Sequence, residues 1–204
     1  MKRTVDVVLS VCLMLLLLPF AVLVGVVILL ESRGPMLVKM HRVGRHGRML
    51  KVLEFRTAIA DPEAMETIAG CEGEQMTRIG AFLRRNGIAR WPLLWSVLKG
   101  DLSIVGPRVE LPRYVGCYPG EVRKRVLSVK PGLIDLSTLE FRHEKRLLHG
   151  LEGDALEEAY VDQVLPVRLD FAQRYVESRG FFTDLRILMG MVLSPFRLLR
   201  LGQQ

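Results

Sequence analysis

Cysteine is scarce in this chain: three residues among 204, Cys12, Cys71 and Cys117, far apart and in no Cys-x-x-Cys or Cys/His pattern. That argues against zinc and against a disulfide framework, and it fits a reduced, cytosol-facing body. The nucleotide-loop, dinucleotide, zincin and serine-hydrolase signatures are missing too: GxxxxGK[ST], GxGxxG after a strand, HExxH and GxSxG. No internal repeat or low-complexity tract is visible. Acidic side chains are outnumbered, 22 against 29 Lys plus Arg, which leaves a net charge of +7. Half the residues are apolar and the mean hydropathy is +0.24. A basic chain this apolar points to an acidic membrane surface, although nucleic acid would also explain the charge. The length suits one domain.

Charge is absent altogether from Val7 to Leu30, a run of leucine, valine and other apolar residues. A bilayer needs about 20 such residues, so the run is long enough to cross one. It exceeds the roughly 7–15 apolar residues of a signal-peptide core and no small-residue cleavage site follows. Both flanks are basic: Lys2 and Arg3 before it, and Arg33, Lys39, Arg42, Arg45 and Arg48 after it. Basic flanks prefer the cytoplasmic side, which favours a segment that enters and returns on one face, and Pro19 supplies a break near the middle. A Pro-kinked spanning helix is the alternative. The chain thus divides into a membrane segment over 1–32 and a cytoplasmic body over 33–204.

In the body, residues 42–48 read as a basic turn feeding a strand over 50–56, and attraction to anionic headgroups accounts for such a cluster. Residues 77–86 have helical spacing, with Thr77 as N-cap and Asn86-Gly87 as the stop. A second helix begins at Pro92, with Trp91, Leu94, Trp95 and Leu98 on one apolar stripe. Between the two helices lie Ile88, Ala89 and Arg90, ahead of a helix N-terminus where an anion is favoured. Leu102 and Ile104 fit a short strand, and Gly106-Pro107 turns the chain to present Arg108, whose fork could clamp a phosphate. Lys130-Pro131-Gly132 marks another turn. Residues 154–178 form two helices separated at Pro166, the second carrying Leu165, Leu169, Ala172 and Val176 on one side. The tail over 184–201, broken at Pro195 with arginines at 186, 197 and 200, has the pattern of an interfacial helix.

Taken in order, these pieces resemble one family over nearly the whole chain: the bacterial sugar transferases, monotopic phosphoglycosyl transferases that begin glycoconjugate and exopolysaccharide assembly. The residues that carry the resemblance are Lys2-Arg3 with Asp6, Pro19, residues 42–47, Phe55-Arg56-Thr57, residues 77–84, Leu98 to Arg108, Lys130-Pro131-Gly132 and residues 184–188. It implies an α/β body, a small membrane-associated domain with an N-terminal re-entrant helix broken at Pro19, and C-terminal interfacial helices. It also implies transfer of a sugar-1-phosphate from a UDP-sugar to polyprenyl phosphate with magnesium, at the inner membrane of a bacterium and with the body in the cytoplasm. Arg42, Arg56 and Arg108 are then the phosphate-binding candidates, and Lys2, Arg3 and Pro19 the membrane residues.

In that family an aspartate of an adjacent Asp-Glu pair attacks the sugar-bearing phosphate and releases UMP. Here the pair is replaced by Ala89 and Arg90, and an arginine can serve neither as general base nor as neighbour to a magnesium ion. Glu54 stands where lysine is usual and Met40 where glutamine is common; Glu54 and Arg90 would form a charge swap if they face each other. Three readings follow: a pseudoenzyme that binds lipid, nucleotide-sugar or an assembly partner such as an active homologue; a transferase using another carboxylate, Asp101, Glu110 or Asp135; or a basic membrane-surface module. The first is the expectation, with no metal ligand set and no nucleic acid partner.

Overall fold

Leucine-rich sequence with no glycine before position 25 favours helix, and α1 runs over Lys2–Glu31. In this computed structural model residues 2–59, 76–141, 147–151 and 153–201 are described, with the backbone alone at 192 and 194–201. Cys71 lies outside the described residues, as do the side chains of Arg197 and Arg200.

Pro19 does not break α1: the helix is one continuous element with Pro19 inside it. An interior proline costs about 3 kcal/mol in a free helix. Here both halves are held from the side. Leu9, Leu13, Met14 and Leu17 pack on one apolar cluster of the body, and Ala21, Val24 and Ile28 on another. The two ends are tied to the same body. Lys2 donates to the Val105 carbonyl and the Tyr175 hydroxyl, each at 3.0 Å, and pairs with Asp184. Arg3 donates to the carbonyls of Val97 and Leu98. Buried Asp6 accepts from Ser103 Oγ at 2.8 Å and from the Ile104 N–H. At the far end a carboxylate oxygen of Glu31 accepts from the Ile79 N–H, and Arg56 donates to the carbonyls of Ser32 and Arg33.

Strands β1, Leu37–Val43, and β2, Met49–Phe55, form an antiparallel hairpin with Leu37 opposite Phe55 and Val43 opposite Met49. The expected turn is present as a 3-10 segment at Arg45–Gly47, with His46 and Gly47 at positive φ. The strand β1 was hidden in the basic cluster: its alternation of apolar and charged residues buries Val38, Met40 and Arg42 on one face.

The helix α2, Arg78–Arg85, is capped by Thr77, whose side chain accepts from the Gly80 N–H. Gly87 at φ +71 stops it. A 3-10 turn over Ile88–Arg90 leads to α3, Leu93–Lys99. The expected stripe on α3 is rotated: Leu93, Leu94, Ser96 and Val97 are buried, while Trp95 is 46 % exposed. Because α3 begins at Leu93, Trp91 belongs to the preceding turn, and the face counted from it is displaced.

A second sheet pairs β3, Ser103–Val105, in parallel with β4, Gly132–Ile134, through the intervening helices α4, Pro112–Gly116, and α5, Gly120–Val126. The strands approach where two glycines meet, since a Cβ on Gly132 would stand 2.2 Å from the Gly106 nitrogen. There follow α6, Leu136–Glu140, then α7, Gly153–Ala159, a π-helical segment Tyr160–Val164, α8, Leu165–Ser178, and α9, Phe181–Leu201. The expected break at Pro166 is instead the π segment before it: Pro166 sits in the first turn of α8, where its missing N–H costs nothing. Pro195 likewise lies inside α9. The α/β expectation holds only in part. Among the described residues the sheets are two small pairs and the body is mostly helical.

Candidate phosphate-binding site

Hairpin, 3-10 turn and second sheet converge on a cleft lined by Arg42, Glu54, Arg90, Leu93, Val109, Gly132 and Leu133. Each arrives for a local reason. Arg42 and Glu54 share the buried face of the hairpin, where Arg42 sits opposite Leu50 and Glu54 opposite Val38. Arg90 is set by the cap and stop of α2 and by the turn that follows. Across the bridge between Arg108 and Gly132 a second cleft holds Arg108, Asp135, Ser137, Arg168 and Tyr175.

Four guanidinium groups and three carboxylates occupy this region, and they are unequally matched. Arg42 donates to Glu54 at 2.8 Å, with both side chains nearly buried. Arg168 donates to Glu110 at 3.0 Å and to the Tyr160 hydroxyl at 2.7 Å, and Tyr160 also donates to Glu110. Arg108 stands 3.4 Å from Glu110 and 4.0 Å from Asp135. Arg90 is the surplus cation: among the described residues its guanidinium makes no hydrogen bond and no ion pair within 4 Å. The neighbouring Arg108 guanidinium, then burial, then Arg42 and Arg168 push its pKa down from 12.5 to about 10, with Glu54 pulling the other way. Glu54 and Arg90 do therefore share a cleft, but Glu54 bonds Arg42.

The alternative carboxylates are committed elsewhere. Burial would raise the Asp135 pKa, yet Arg108, Ser137, Arg168 and Thr138 together bring it below the usual value. Its oxygens cap α6, accepting from the Thr138 N–H at 2.9 Å and from the hydroxyls of Ser137 and Thr138. Glu110 is engaged by Arg168, Tyr160 and Arg108. Asp101 sits on the turn after α3, where Gly100 meets Arg3 and Lys130, and it lines neither cleft. Tyr118 and Tyr160 are pushed up by burial and then by Glu110, and Tyr175 by burial and then by its bond to Asp184, so all three stay protonated phenols at neutral pH.

Of the arginines expected to meet phosphate, Arg42 and Arg108 line the clefts and Arg56 does not. Arg56 is buried and its donors hold the link between α1 and β1. Lys2 and Arg3 likewise bind the body. Ala89, where the resemblance puts the nucleophile, is 4 % exposed and packs with Ile28, Phe55 and Leu83. Arg168 was missed, although the signal was present: it falls between Leu165 and Leu169 on the apolar face of α8, where an arginine is out of pattern.

Among the described residues no cluster of three His, Cys, Asp or Glu side chains could hold a metal ion, and the carboxylates near the clefts already face arginines.

The chain belongs to the bacterial sugar transferase family, which it matches over residues 1–197. It is 34 % identical over 155 residues to a Bacillus subtilis protein provisionally named an undecaprenyl-phosphate N-acetylgalactosaminyl 1-phosphate transferase, covering 76 % of this chain and 80 % of that one. It is 30 % identical over 206 residues to an exopolysaccharide production protein of Rhizobium leguminosarum, covering 95 % and 94 %. A UDP-glucose:undecaprenyl-phosphate glucose-1-phosphate transferase of Escherichia coli is 27 % identical over 96 % of this chain, which spans 40 % of that longer protein.

Proposed function

We propose that this chain works in cell-surface polysaccharide or glycoconjugate assembly as a membrane-docked sugar transferase homologue that binds UDP-sugar and polyprenyl phosphate without ordinary transfer chemistry. The observation that carries this reading is the site of the missing nucleophile. Ala89 is part of an apolar cluster, and the adjacent Arg90 can neither attack phosphorus nor act as a base. Glu110 and Asp135 are held by hydrogen bonds and arginines, which supports the same conclusion. The cleft arginines suit the phosphates of both substrates.

Docking to the cytoplasmic face of the inner membrane through α1, a continuous helix with both ends held on that face, completes the proposal. A stripe through Asp6, Ser10, Gly25 and Ile28 faces the body, while Leu15, Leu16, Phe20, Leu23 and Leu30 lie among the exposed apolar residues opposite. A helix whose two ends are tied to one polar body does not deliver those ends to opposite sides of a bilayer.

The test uses the full chain in lipid nanodiscs with a panel of UDP-sugars, polyprenyl phosphate and magnesium. Binding without UMP release is the expected result. Release of UMP with formation of lipid-linked sugar by the native chain would overturn it, and turnover by an Ala89→Asp/Arg90→Glu double variant would show that only the nucleophile is wanting.

A further inference from the structure

Arg90 presents an energetic problem. A partly buried guanidinium that faces three others and makes no hydrogen bond among the described residues is costly, because removal from water is not offset by a partner. The three carboxylates of the region are matched to Arg42, Arg108 and Arg168 by distance, so among the described residues no acidic group is left to neutralise it. The missing counter-ion must be an anion that is not part of the described protein. Leu93, Val109, Gly132 and Leu133 complete the lining of its cleft. Arg42 lines the same cleft beside Glu54, and Arg108 lines the neighbouring cleft across the Gly132 bridge. A group with several acceptor oxygens and more than one negative charge matches such a set of forks, as a phosphate monoester or diphosphate does.

We infer that the cleft around Arg90, with Arg42 and Arg108 beside it, binds a phosphate or diphosphate group directly and without a divalent cation, the Arg90 guanidinium supplying the charge. This deepens the proposed function and rests on it for the choice of ligand. A cation such as magnesium beside Arg90 would be repelled by the surplus positive charge, and every carboxylate it could claim would have to leave an arginine. The same oxygens could come from a nucleotide-sugar or from a polyprenyl phosphate headgroup.

The full chain in nanodiscs is titrated by calorimetry with UDP, with a UDP-sugar and with inorganic pyrophosphate, each in EDTA and again in excess magnesium. A parallel set of nanodiscs carries polyprenyl phosphate and is read by the phosphorus resonance of the lipid. The inference expects at least one of these phosphates to bind with an affinity that changes less than about twofold between EDTA and magnesium. Arg90→Gln should weaken that binding about tenfold or more, and Arg85→Gln, on the exposed side of α2, should leave it unchanged. Arg90→Lys keeps the charge and loses the fork, so intermediate binding by a folded Arg90→Lys chain separates recognition from a general loss of structure. Affinity that appears only with magnesium, or that Arg90→Gln leaves intact, overturns the inference while leaving the nucleotide-sugar reading standing. Metal-independent binding of pyrophosphate or lipid phosphate alone supports the inference and removes the nucleotide-sugar part of the proposed function.

Discussion

Arg42 and Glu54 form a nearly buried ion pair in the first cleft, and removing one partner strands the other. Glu54→Gln is expected to cost about 3–5 kcal/mol, whereas Arg42→Met/Glu54→Leu together should cost far less, a double-mutant cycle readable from denaturation midpoints. Arg90 has the opposite sign. Its folded pKa lies below the unfolded one, so the penalty for its charge is fully present below pH 10 and is relieved only as pH rises beyond that. Arg90→Met should therefore raise the unfolding midpoint at neutral pH, by about 1–3 kcal/mol in stability, at the expense of phosphate affinity. Asp135 behaves as a depressed carboxylate: its contribution is complete above the unfolded value near about 4 and is lost as pH falls through the lower folded value. Thermal scans taken downward from about pH 5, through the region below about pH 4 that this pKa direction defines, should show a steeper decline for the native chain than for Asp135→Asn. Little of this was legible in the sequence. The vacated nucleophile could be seen at Ala89 and Arg90, but which carboxylate meets which arginine is set by hairpin register and by the Arg108–Gly132 bridge, contacts that no local pattern encodes.

Elements whose signals are local were legible, and those decided by tertiary contact were not. The helix α2 announced itself through Thr77 and Gly87, and the hairpin turn through its glycines and basic residues. Pro19, Pro166 and Pro195 were read as breaks, yet all three lie within or at the start of helices. A proline interrupts a free helix, but packing on both sides holds the backbone of α1 through it. The β1 strand was obscured because its charged residues alternate with apolar ones in the same span that carries the juxtamembrane charge. Placement of Arg90 depends on how closely α2 approaches the chain after β2. A Cβ on Gly80 would fall 1.8 Å from the Thr57 carbonyl oxygen, so no side-chain rotation relieves the clash. Gly80→Ala should displace α2 together with the 3-10 turn behind it, lowering the unfolding midpoint and weakening phosphate binding in the same variant. Arg56→Gln is the contrast: it should loosen the link after α1, detected as faster proteolysis near residues 32–36, while leaving phosphate affinity intact.

At the scale of the whole molecule the question is where the bilayer lies. The long apolar run and its basic flanks left two topologies open, a crossing and a return. Contacts between residues far apart in sequence favour the return proposed above. Lys2 meets Val105, Tyr175 and Asp184, and Asp6 meets Ser103, so the start of α1 is seated on β3 and α9. Its end is seated on α2 and on Arg56. A crossing helix would have to surrender one set, including the buried carboxylate of Asp6 with both of its partners, a loss that burial in lipid would not restore. In a cysteine-free background, Thr4→Cys, Arg33→Cys and Leu16→Cys report the two ends and the exposed face of α1. With a membrane-impermeant maleimide, the reagents at both ends should react in inverted vesicles and neither in right-side-out vesicles, while position 16 stays unlabelled in both because lipid covers it. Labelling of one end from each side would establish a crossing, and would require that the contacts of Lys2 and Asp6, or those of Glu31 and Arg56, be broken in the membrane.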